Sequence, residues 1–163
     1  MRISLLAASE VGAIDKLADE CGFHLDAANE LTRSFAHFWV ARVDAHSIDP
    51  GAFLLAWQAA DELDIIALGT APTLRRCGLA RALVAEALRY ASASALRRVL
   101  LEVRDSNHAA LHLYQSHGFM IGRRREQYYS NPTEDGVEMS LEIDGSGLHV
   151  STSHASRCLE TQE

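Results

Sequence analysis

Residues 62–104 hold the pattern that most constrains how this chain can fold. The strand-like run ELDIIALGTA is ended by Pro72, and an Ala- and Leu-rich helical pattern then continues from Gly78 to about Ala93. The run RRVLLEVR follows and, with its Val and Leu residues, predicts a strand that is largely buried. This succession of strand, helix and strand is typical of a fold that combines a sheet with helices.

Shorter elements of both kinds flank this segment. Before it, RISLLA predicts a strand, Val11 to Cys21 a helix, and Asp26 the cap of a second helix to about Arg33. FAHFWVARV and AFLLAWQA predict two strands of a hairpin, joined by the turn residues DAHSIDPG. After it, NHAALHLYQSHG predicts a helix capped by Asn107 and ended by Gly118, and FMIGRRREQYY and GVEMSLEI predict closing strands around NPTEDG. The predicted fold class is α+β.

Length and periodicity predict one folded domain followed by a tail. The chain has 163 residues, and we place the domain at residues 1–143. Residues 144–163 are polar, serine-rich and without hydrophobic periodicity, so they predict a disordered C-terminal tail.

Composition and charge favour a soluble protein of the cytoplasm. No apolar run is long enough to span a bilayer, and the N-terminal stretch breaks into a charged amphipathic pattern that favours a strand and helix over a signal peptide. Cys21, Cys77 and Cys158 have neither zinc-site nor disulfide-framework spacing, which favours a reducing compartment. The formal net charge of −7 argues against nucleic-acid binding and is compatible with a basic partner.

The helix after Pro72 begins on arginines and a glycine rather than on an ordinary capping residue. Helix N-termini carry unpaired N–H groups and partial positive charge, and Gly78 would let an anion approach the backbone closely. Arg75, Arg76 and Arg81 add positive charge, and Ala80 is small. These features suit a pyrophosphate, although an ordinary helix start with solvated arginines fits the residues equally well.

Other ligand motifs are weaker. The chain has no Gly-x-x-x-x-Gly-Lys-Ser/Thr motif, which argues against a nucleotide-hydrolysing loop. His108 and His112 have the i,i+4 spacing of metal ligands, but the sequence places no third ligand, so two solvated histidines are the favoured interpretation and no metal is expected.

The motif Arg75-x-x-Gly78-x-Ala80 resembles the pyrophosphate loop of the GNAT acetyltransferases. Downstream, LEVRDSNHAALHLYQSHGF, Tyr128-Tyr129 and DGVEMSL resemble the RimI enzymes of that family, which acetylate the N-terminal alanine of a ribosomal protein. The resemblance runs from about Ile66 to Ile143. It implies a mixed, mostly antiparallel sheet flanked by helices, acetyl-CoA as co-substrate and a protein N-terminus as acceptor.

The resemblance also implies roles for individual residues. Glu102 would be the general base, acting through water, and Tyr114 the general acid. Their placement is chemically reasonable, because Glu102 lies near a strand end and Tyr114 lies seven residues after Asn107 on one predicted helix, so that both helix residues face the same way. The alternatives without a catalytic role are that Glu102 is an exposed charge at the end of a strand and that Tyr114 is an aromatic residue of the core. Acetyl-CoA would be bound by Leu68, Gly69, Thr70, Arg75, Arg76, Cys77, Gly78, Leu79, Ala80, Arg81 and Asn107.

Two departures from the family pattern concern the acceptor and the loop. Phe23–Leu31 lacks the Pro-Trp-Ser-type segment that helps to receive a peptide, so a small amine or a lysine side chain stays open as acceptor. Cys77 replaces a residue that is commonly basic or polar, which a loop binding through backbone N–H groups should tolerate. A non-catalytic acyl-CoA-binding module is a further alternative, and the presence of both Glu102 and Tyr114 argues against it.

Overall fold

The computed structural model describes residues 1–44 and 46–143 of the chain. Seven strands lie within these residues: β1 (Arg2–Leu5), β2 (Ala36–Arg42), β3 (Ala52–Ala59), β4 (Glu62–Thr70), β5 (Arg98–Arg104), β6 (Met120–Ser130) and β7 (Thr133–Glu142). Four α-helices accompany them, α1 (Val11–Glu20), α2 (Ala27–Leu31), α3 (Leu79–Ala93) and α4 (His108–Gln115), with 3-10 turns at Ala8–Glu10 and Pro72–Leu74. The elements follow the predicted order, which confirms the α+β class.

The strands form one mixed sheet in the order β1-β2-β3-β4-β5-β7-β6. β4 and β5 run parallel, with Glu62 opposite Arg98 and Ile65 opposite Leu101, as expected where a helix connects two neighbouring strands. β1 pairs antiparallel with β2, and β7 pairs antiparallel with both β5 and β6. The expected mixed, mostly antiparallel sheet flanked by helices is therefore confirmed.

The described residues fall into two compact units. The first comprises Met1–Leu55, without residue 45, and Ala67–Leu83, and the second comprises Ala56–Ile66 and residues 84–143. β3, β4 and α3 each contribute residues to both units.

Phe53 anchors the core of the first unit. Its side chain is fully buried, and the centre of its ring lies 5.9 Å from that of Phe23 and 6.0 Å from that of Phe38. The ring also covers Gly69, where a Cβ would lie only 2.7 Å from Phe53 Cζ. Gly69 is therefore a glycine because the ring occupies the space that a side chain would need, and this packing fixes the end of β4.

A buried ion pair connects the start of the chain to β2. Arg42 is buried and binds the Glu10 carboxylate, while its Nη1 donates to Ser4 Oγ at 3.1 Å and its Nε to the Ile48 carbonyl at 3.3 Å. A buried guanidinium requires this number of partners, because an unpaired buried charge is strongly destabilising.

In the second unit, β5 is buried on one face only. Val99, Leu101 and Val103 are buried, whereas the residues between them are half-buried. The strand is thus not largely buried as its run of Val and Leu predicted, because the run contains Leu100 on the more open face. Glu102 shares that open face with Leu100 through the two-residue period of the strand.

The ends of the elements differ slightly from the predictions. Asp26 and Asn107 cap α2 and α4 as predicted, by accepting from the N–H groups of Asn29 and Ala110. The turn between β6 and β7 is only Asn131 and Pro132, shorter than the predicted NPTEDG, because strand pairing resumes at Thr133.

The predicted tail, residues 144–163, lies outside the described residues, as does Cys158. Within the described part of the chain, no helix is long and apolar enough to cross a membrane.

Candidate active site

The segment Arg75–Arg81, which we call the arginine–glycine loop, turns the chain from β4 into α3. Two of its residues have left-handed backbone conformations, Arg76 at φ 65° and Gly78 at φ 82°. A Cβ on Gly78 would meet only Met1 Cε, at 3.8 Å, so glycine is needed there for its conformation rather than for space. Left-handed residues in a turn just before a helix are typical of loops whose backbone N–H groups bind an anion.

The side chains of this loop divide into exposed charges and a buried anchor. Arg75, Arg76 and Arg81 are exposed, whereas Leu79 is buried. Leu79 can therefore offer a phosphate only its backbone N–H, which has no acceptor within the helix because it lies in the first turn. The donor set is backbone N–H groups surrounded by guanidinium charge, and it fits a pyrophosphate.

Gly51 supports the loop from the β2–β3 connection. Its N–H donates to the Ala41 carbonyl at 2.9 Å, and its own carbonyl accepts from Ala71 N–H at 2.9 Å. A Cβ on Gly51 would lie 2.5 Å from Leu74 Cδ1 and 3.2 Å from Leu79 Cδ1. The sequence indicated only turn chemistry at this position, because the two leucines that require a glycine lie more than twenty residues further along the chain.

The predicted pantetheine-binding residues Leu68, Gly69 and Thr70 end β4. The pairing of β4 with β5 runs from Glu62 to Ile65, so these three residues continue beyond it. The Thr70 carbonyl accepts from the Cys21 thiol at 3.4 Å, and burial is the largest cause of the raised pKa of that thiol. Backbone groups of a strand that continues past its parallel neighbour are suited to hydrogen-bond an extended ligand.

Glu102, the fifth residue of β5, lies in the second unit among charged groups from neighbouring strands. Its carboxylate forms an ion pair with Arg125 of β6, and its proximity raises the pKa of the Tyr128 hydroxyl. Glu138 of β7 lies directly opposite it in the strand register. The side chain of Glu102 is one-quarter exposed. It is therefore neither a fully solvated charge at a strand end, which was the alternative without a catalytic role, nor a buried ion.

Asp64 of β4 completes a group of three acids, with Glu102 and Glu138, that we call the carboxylate cluster. Although Asp64 is exposed at the surface, desolvation and then the charges of Glu102, Glu138 and Glu62 raise its pKa to about 6. The cluster joins β4, β5 and β7. Sequence reasoning missed Asp64 and Glu138, because nothing local in either strand indicates that they face Glu102.

Tyr114 of α4 is buried, and its ring centre lies 5.6 Å from that of Phe119. Burial, and to a lesser degree the neighbouring Tyr129, raises its pKa. The phenol therefore remains protonated and able to donate a hydrogen bond throughout the neutral range.

Asn107 and Tyr114, which were predicted to lie on one helix, differ in their surroundings, since Tyr114 is buried within α4 and Asn107 is not. Asn107 is exposed and has non-helical dihedrals (φ −81°, ψ 66°) because it is the N-cap rather than a residue within α4. Its side-chain carbonyl accepts from Ala110 N–H at 3.2 Å. A contact from Asn107 to acetyl-CoA would therefore come from its amide nitrogen.

Two tyrosines at the end of β6 are each covered by a guanidinium. Arg104 lies 4.3 Å from the ring centre of Tyr129 and Arg125 4.4 Å from that of Tyr128. Arg104 also donates to the carbonyls of Asn131 and Pro132, at 3.1 and 3.2 Å. These contacts hold the tyrosine end of the β6–β7 hairpin against β5.

The predicted site residues thus fall into two groups, which the two units hold separately. Leu68–Thr70 and the arginine–glycine loop belong to the first unit, and Glu102, Asn107 and Tyr114 belong to the second. Among the residues that the structure describes, no group of three or more His, Cys, Asp or Glu side chains is arranged to hold a metal ion.

The fold and these two groups of residues agree with the sequence profile of the Acetyltransferase (GNAT) family, which matches residues 9–119. The chain therefore belongs to the GNAT acetyltransferase family. It is an N-acetyltransferase whose co-substrate is acetyl-CoA, as the arginine–glycine motif led us to expect.

Two curated relatives and one solved structure show which acetyltransferases the chain resembles. A Bacillus subtilis (strain 168) protein, provisionally named a ribosomal protein bS18-alanine N-acetyltransferase, is 31% identical over 114 residues, covering 70% of this chain and 74% of that protein. The Escherichia coli (strain K12) ribosomal protein bS18-alanine N-acetyltransferase is 37% identical over 90 residues, covering 55% of this chain and 60% of its own length. The crystal structure of the ribosomal-protein-S18-alanine N-acetyltransferase from Escherichia coli superimposes with a TM-score of 0.78 at 24% identity, covering 93% of this chain and 99% of that one.

Proposed function

We propose that this protein transfers the acetyl group of acetyl-CoA to the N-terminal α-amino group of a protein, the N-terminal alanine of ribosomal protein bS18, in the cytoplasm. The observation that carries this proposal is the 31% identity to the Bacillus subtilis protein of that name across 70% of the chain. The resemblance of the β6–β7 segment supports a peptide acceptor, because that segment lies outside the residues expected to bind the co-substrate.

On the donor side, backbone groups do most of the binding in this proposal. N–H groups of Gly78, Leu79 and Ala80 would hold the pyrophosphate, with Arg75, Arg76 and Arg81 adding positive charge and Cys77 contributing its N–H. Leu68–Thr70 would hydrogen-bond the pantetheine arm, and the Asn107 amide would contact the co-substrate. When bound, acetyl-CoA supplies the thioester whose C–S bond breaks as the new amide bond forms.

On the acceptor side, Glu102 would remove the proton that the attacking amine must lose, through a water molecule. An α-amino group has an ordinary pKa near 8 and a lysine near 10.4, so the α-amine is about 3 kcal/mol easier to deprotonate at neutral pH. Carboxylates are weak bases, so a carboxylate as general base suits the α-amine better than the lysine.

Tyr114 would donate its phenolic proton, or a hydrogen bond, to the sulfur that leaves. Its raised pKa keeps the proton on the oxygen, which favours a hydrogen bond to the departing sulfur over complete proton transfer. Its packing against Phe119 fixes the direction in which the hydroxyl points.

Mass spectrometry of three kinds of acceptor tests the proposal. The enzyme and acetyl-CoA are offered a peptide with the N-terminal sequence of bS18, the same peptide with a blocked N-terminus and an internal lysine, and a panel of free amines. We expect acetylation of the open N-terminus to be fastest. Faster acetylation of the blocked peptide or of a free amine would contradict the proposal and assign the enzyme to lysine or small-amine substrates.

A further inference from the structure

Gly51 lies immediately before β3 and packs against two leucines that flank the turned part of the arginine–glycine loop. A Cβ at this position would lie 2.5 Å from Leu74 Cδ1 and 3.2 Å from Leu79 Cδ1. Leu74 is the last residue of the 3-10 turn that leads into the loop, and Leu79 is the first residue of α3. The turned residues 75–78 therefore lie between two leucines that pack on one glycine.

Hydrogen bonds connect the same glycine to the start of this segment. The Gly51 N–H donates to the Ala41 carbonyl of β2, and the Gly51 carbonyl accepts from the Ala71 N–H, both at 2.9 Å. The Ala71 carbonyl accepts in turn from the Leu74 N–H at 2.9 Å. The position of the turn that leads into the loop is thus set from β2, through Gly51, by backbone contacts between residues that are distant in sequence.

The two leucines differ in how far they can move. Leu79 is 1% exposed, whereas Leu74 is half-buried. A methyl group at residue 51 would have to displace Leu74, the nearer of the two, which could only turn away from Gly51 or carry its backbone along. Either movement releases the end of the turn that leads into Arg75. Because the loop would bind phosphate through backbone N–H groups, its affinity depends on how firmly that end is held.

We propose that Gly51 is a positioning residue for acetyl-CoA: by leaving room for Leu74 and Leu79, it holds the arginine–glycine loop in the conformation that binds the pyrophosphate. This role rests on the part of the proposed function that assigns the loop to the phosphates. No acceptor is involved, so the role is measurable with CoA alone.

Isothermal titration calorimetry with CoA compares Gly51→Ala with the wild-type protein. We expect CoA to bind the variant about tenfold more weakly, because the added methyl group can be accommodated only by moving one end of the turn. The matched control is Gly12→Ala, which adds the same methyl group where a Cβ meets nothing within 4 Å, and its affinity for CoA should equal that of the wild type. Wild-type affinity in a folded Gly51→Ala protein would overturn the proposal.

Pantetheine, which lacks the pyrophosphate and the nucleotide, separates positioning of the loop from a general loosening of the protein. Its affinity is measured by NMR titration. We expect the same value for Gly51→Ala and the wild type, because Leu68–Thr70 rather than the loop are proposed to bind this part of the co-substrate. Equal weakening of CoA and pantetheine would show a structural role only and overturn the positioning role.

A double-mutant cycle with Leu74→Ala tests whether the effect passes through Leu74. Leu74→Ala removes the atom that lies nearest to the added methyl group, and by itself it should weaken CoA binding because the turn loses a contact. Adding Gly51→Ala should then weaken binding by no more than about twofold further, since residues in contact couple in such cycles. A further loss as large as that in the wild-type background would overturn the proposed route through Leu74.

Two comparisons separate this role from the proposed function. Where Gly51→Ala does not fold, Leu74→Ala provides the test, and wild-type affinity for CoA in the folded Leu74→Ala protein would overturn the positioning role. Unchanged affinity in a folded Gly78→Glu protein would instead contradict the assignment of the loop to the phosphates. Loss of affinity in Gly78→Glu with none in Gly51→Ala would support that assignment and contradict the role of Gly51 alone.

Discussion

The arginine–glycine loop and the carboxylate cluster are built from different chemical groups. The loop presents backbone N–H groups whose directions are set by local conformation, at Arg76 and Gly78 above all. The cluster consists of side chains from β4, β5 and β7, with Arg125 of β6 paired to Glu102. The loop should therefore tolerate changes of side chain that keep its conformation, whereas the cluster depends on the identity of every side chain.

The largest expected effect is at the loop. Gly78→Glu places a side chain and a negative charge where a pyrophosphate would bind, at a backbone conformation that disfavours any side chain. We expect acetyl-CoA to bind at least about 100-fold more weakly, since unfavourable like-charge contacts cost several kcal/mol. Isothermal titration calorimetry measures this change.

Gly12→Glu is the matched control for the loop variant. Gly12 lies in α1, and a Cβ there would meet nothing within 4 Å. Near wild-type affinity in a folded Gly78→Glu protein would show that the loop does not bind the phosphates.

The second-largest effect is expected on the rate of acetylation, at Glu102 of the carboxylate cluster. Glu102→Gln keeps the shape of the side chain and removes the base, so acetylation at neutral pH should slow by about 100-fold and recover partly at higher pH as more amine becomes neutral. Steady-state kinetics across pH provides the measurement, with Glu86→Gln on α3 as the control. A rate loss that is independent of pH would argue against a role as base.

Tyr114→Phe should affect turnover more than binding. Removing the hydroxyl deletes the proposed donor to the leaving sulfur, so kcat should fall about tenfold or more while acetyl-CoA affinity stays unchanged. The control is Tyr90→Phe, which also removes a phenolic hydroxyl, one that donates to Gln58 at 2.7 Å. Wild-type turnover in Tyr114→Phe would leave this residue with a packing role alone.

A smaller effect is expected on stability at Asp64. Its pKa is raised to about 6 in the folded protein, so the folded state binds its proton more tightly than the unfolded state and loses stability as pH rises from about 4 to about 6. Asp64→Asn should therefore raise the Tm at neutral pH and leave it unchanged below pH ~4. Thermal unfolding at both pH values checks this.

Asp61→Asn serves as the control for Asp64. Asp61 pairs with Arg97 at 3.1 Å, so its replacement should bring no gain in Tm. A folded Asp64→Asn protein that is no more stable than the wild type at neutral pH would show that Asp64 ionises there without penalty.

The smallest effect is expected from the C-terminus. We propose that the folded domain ends at residue 143, as the loss of periodicity predicts. A chain that ends at Asp144 should then have a Tm within about 2 °C of the full chain. A larger fall would show that residues 144–163 contribute to the fold.

The amino-acid sequence by itself determined the order of the elements, the two helix caps and the arginine–glycine loop. These features depend on neighbours within a few residues: Asp26 and Asn107 cap the turn that follows them, and Gly78 permits a conformation of its own backbone. Local steric and hydrogen-bonding rules act over that distance, and they can therefore be interpreted without knowledge of the fold.

Only the tertiary structure decided what surrounds Glu102 and why Gly51 and Gly69 are glycines. Each of those glycines is required by a side chain distant in sequence, as Phe53 requires Gly69. The pairing of Arg125 with Glu102 depends on the register of β6, which shifts twice, and a slip of one residue would turn a side chain to the opposite face of the sheet. Strand register is set by pairing across the whole sheet, so no short stretch of sequence contains it.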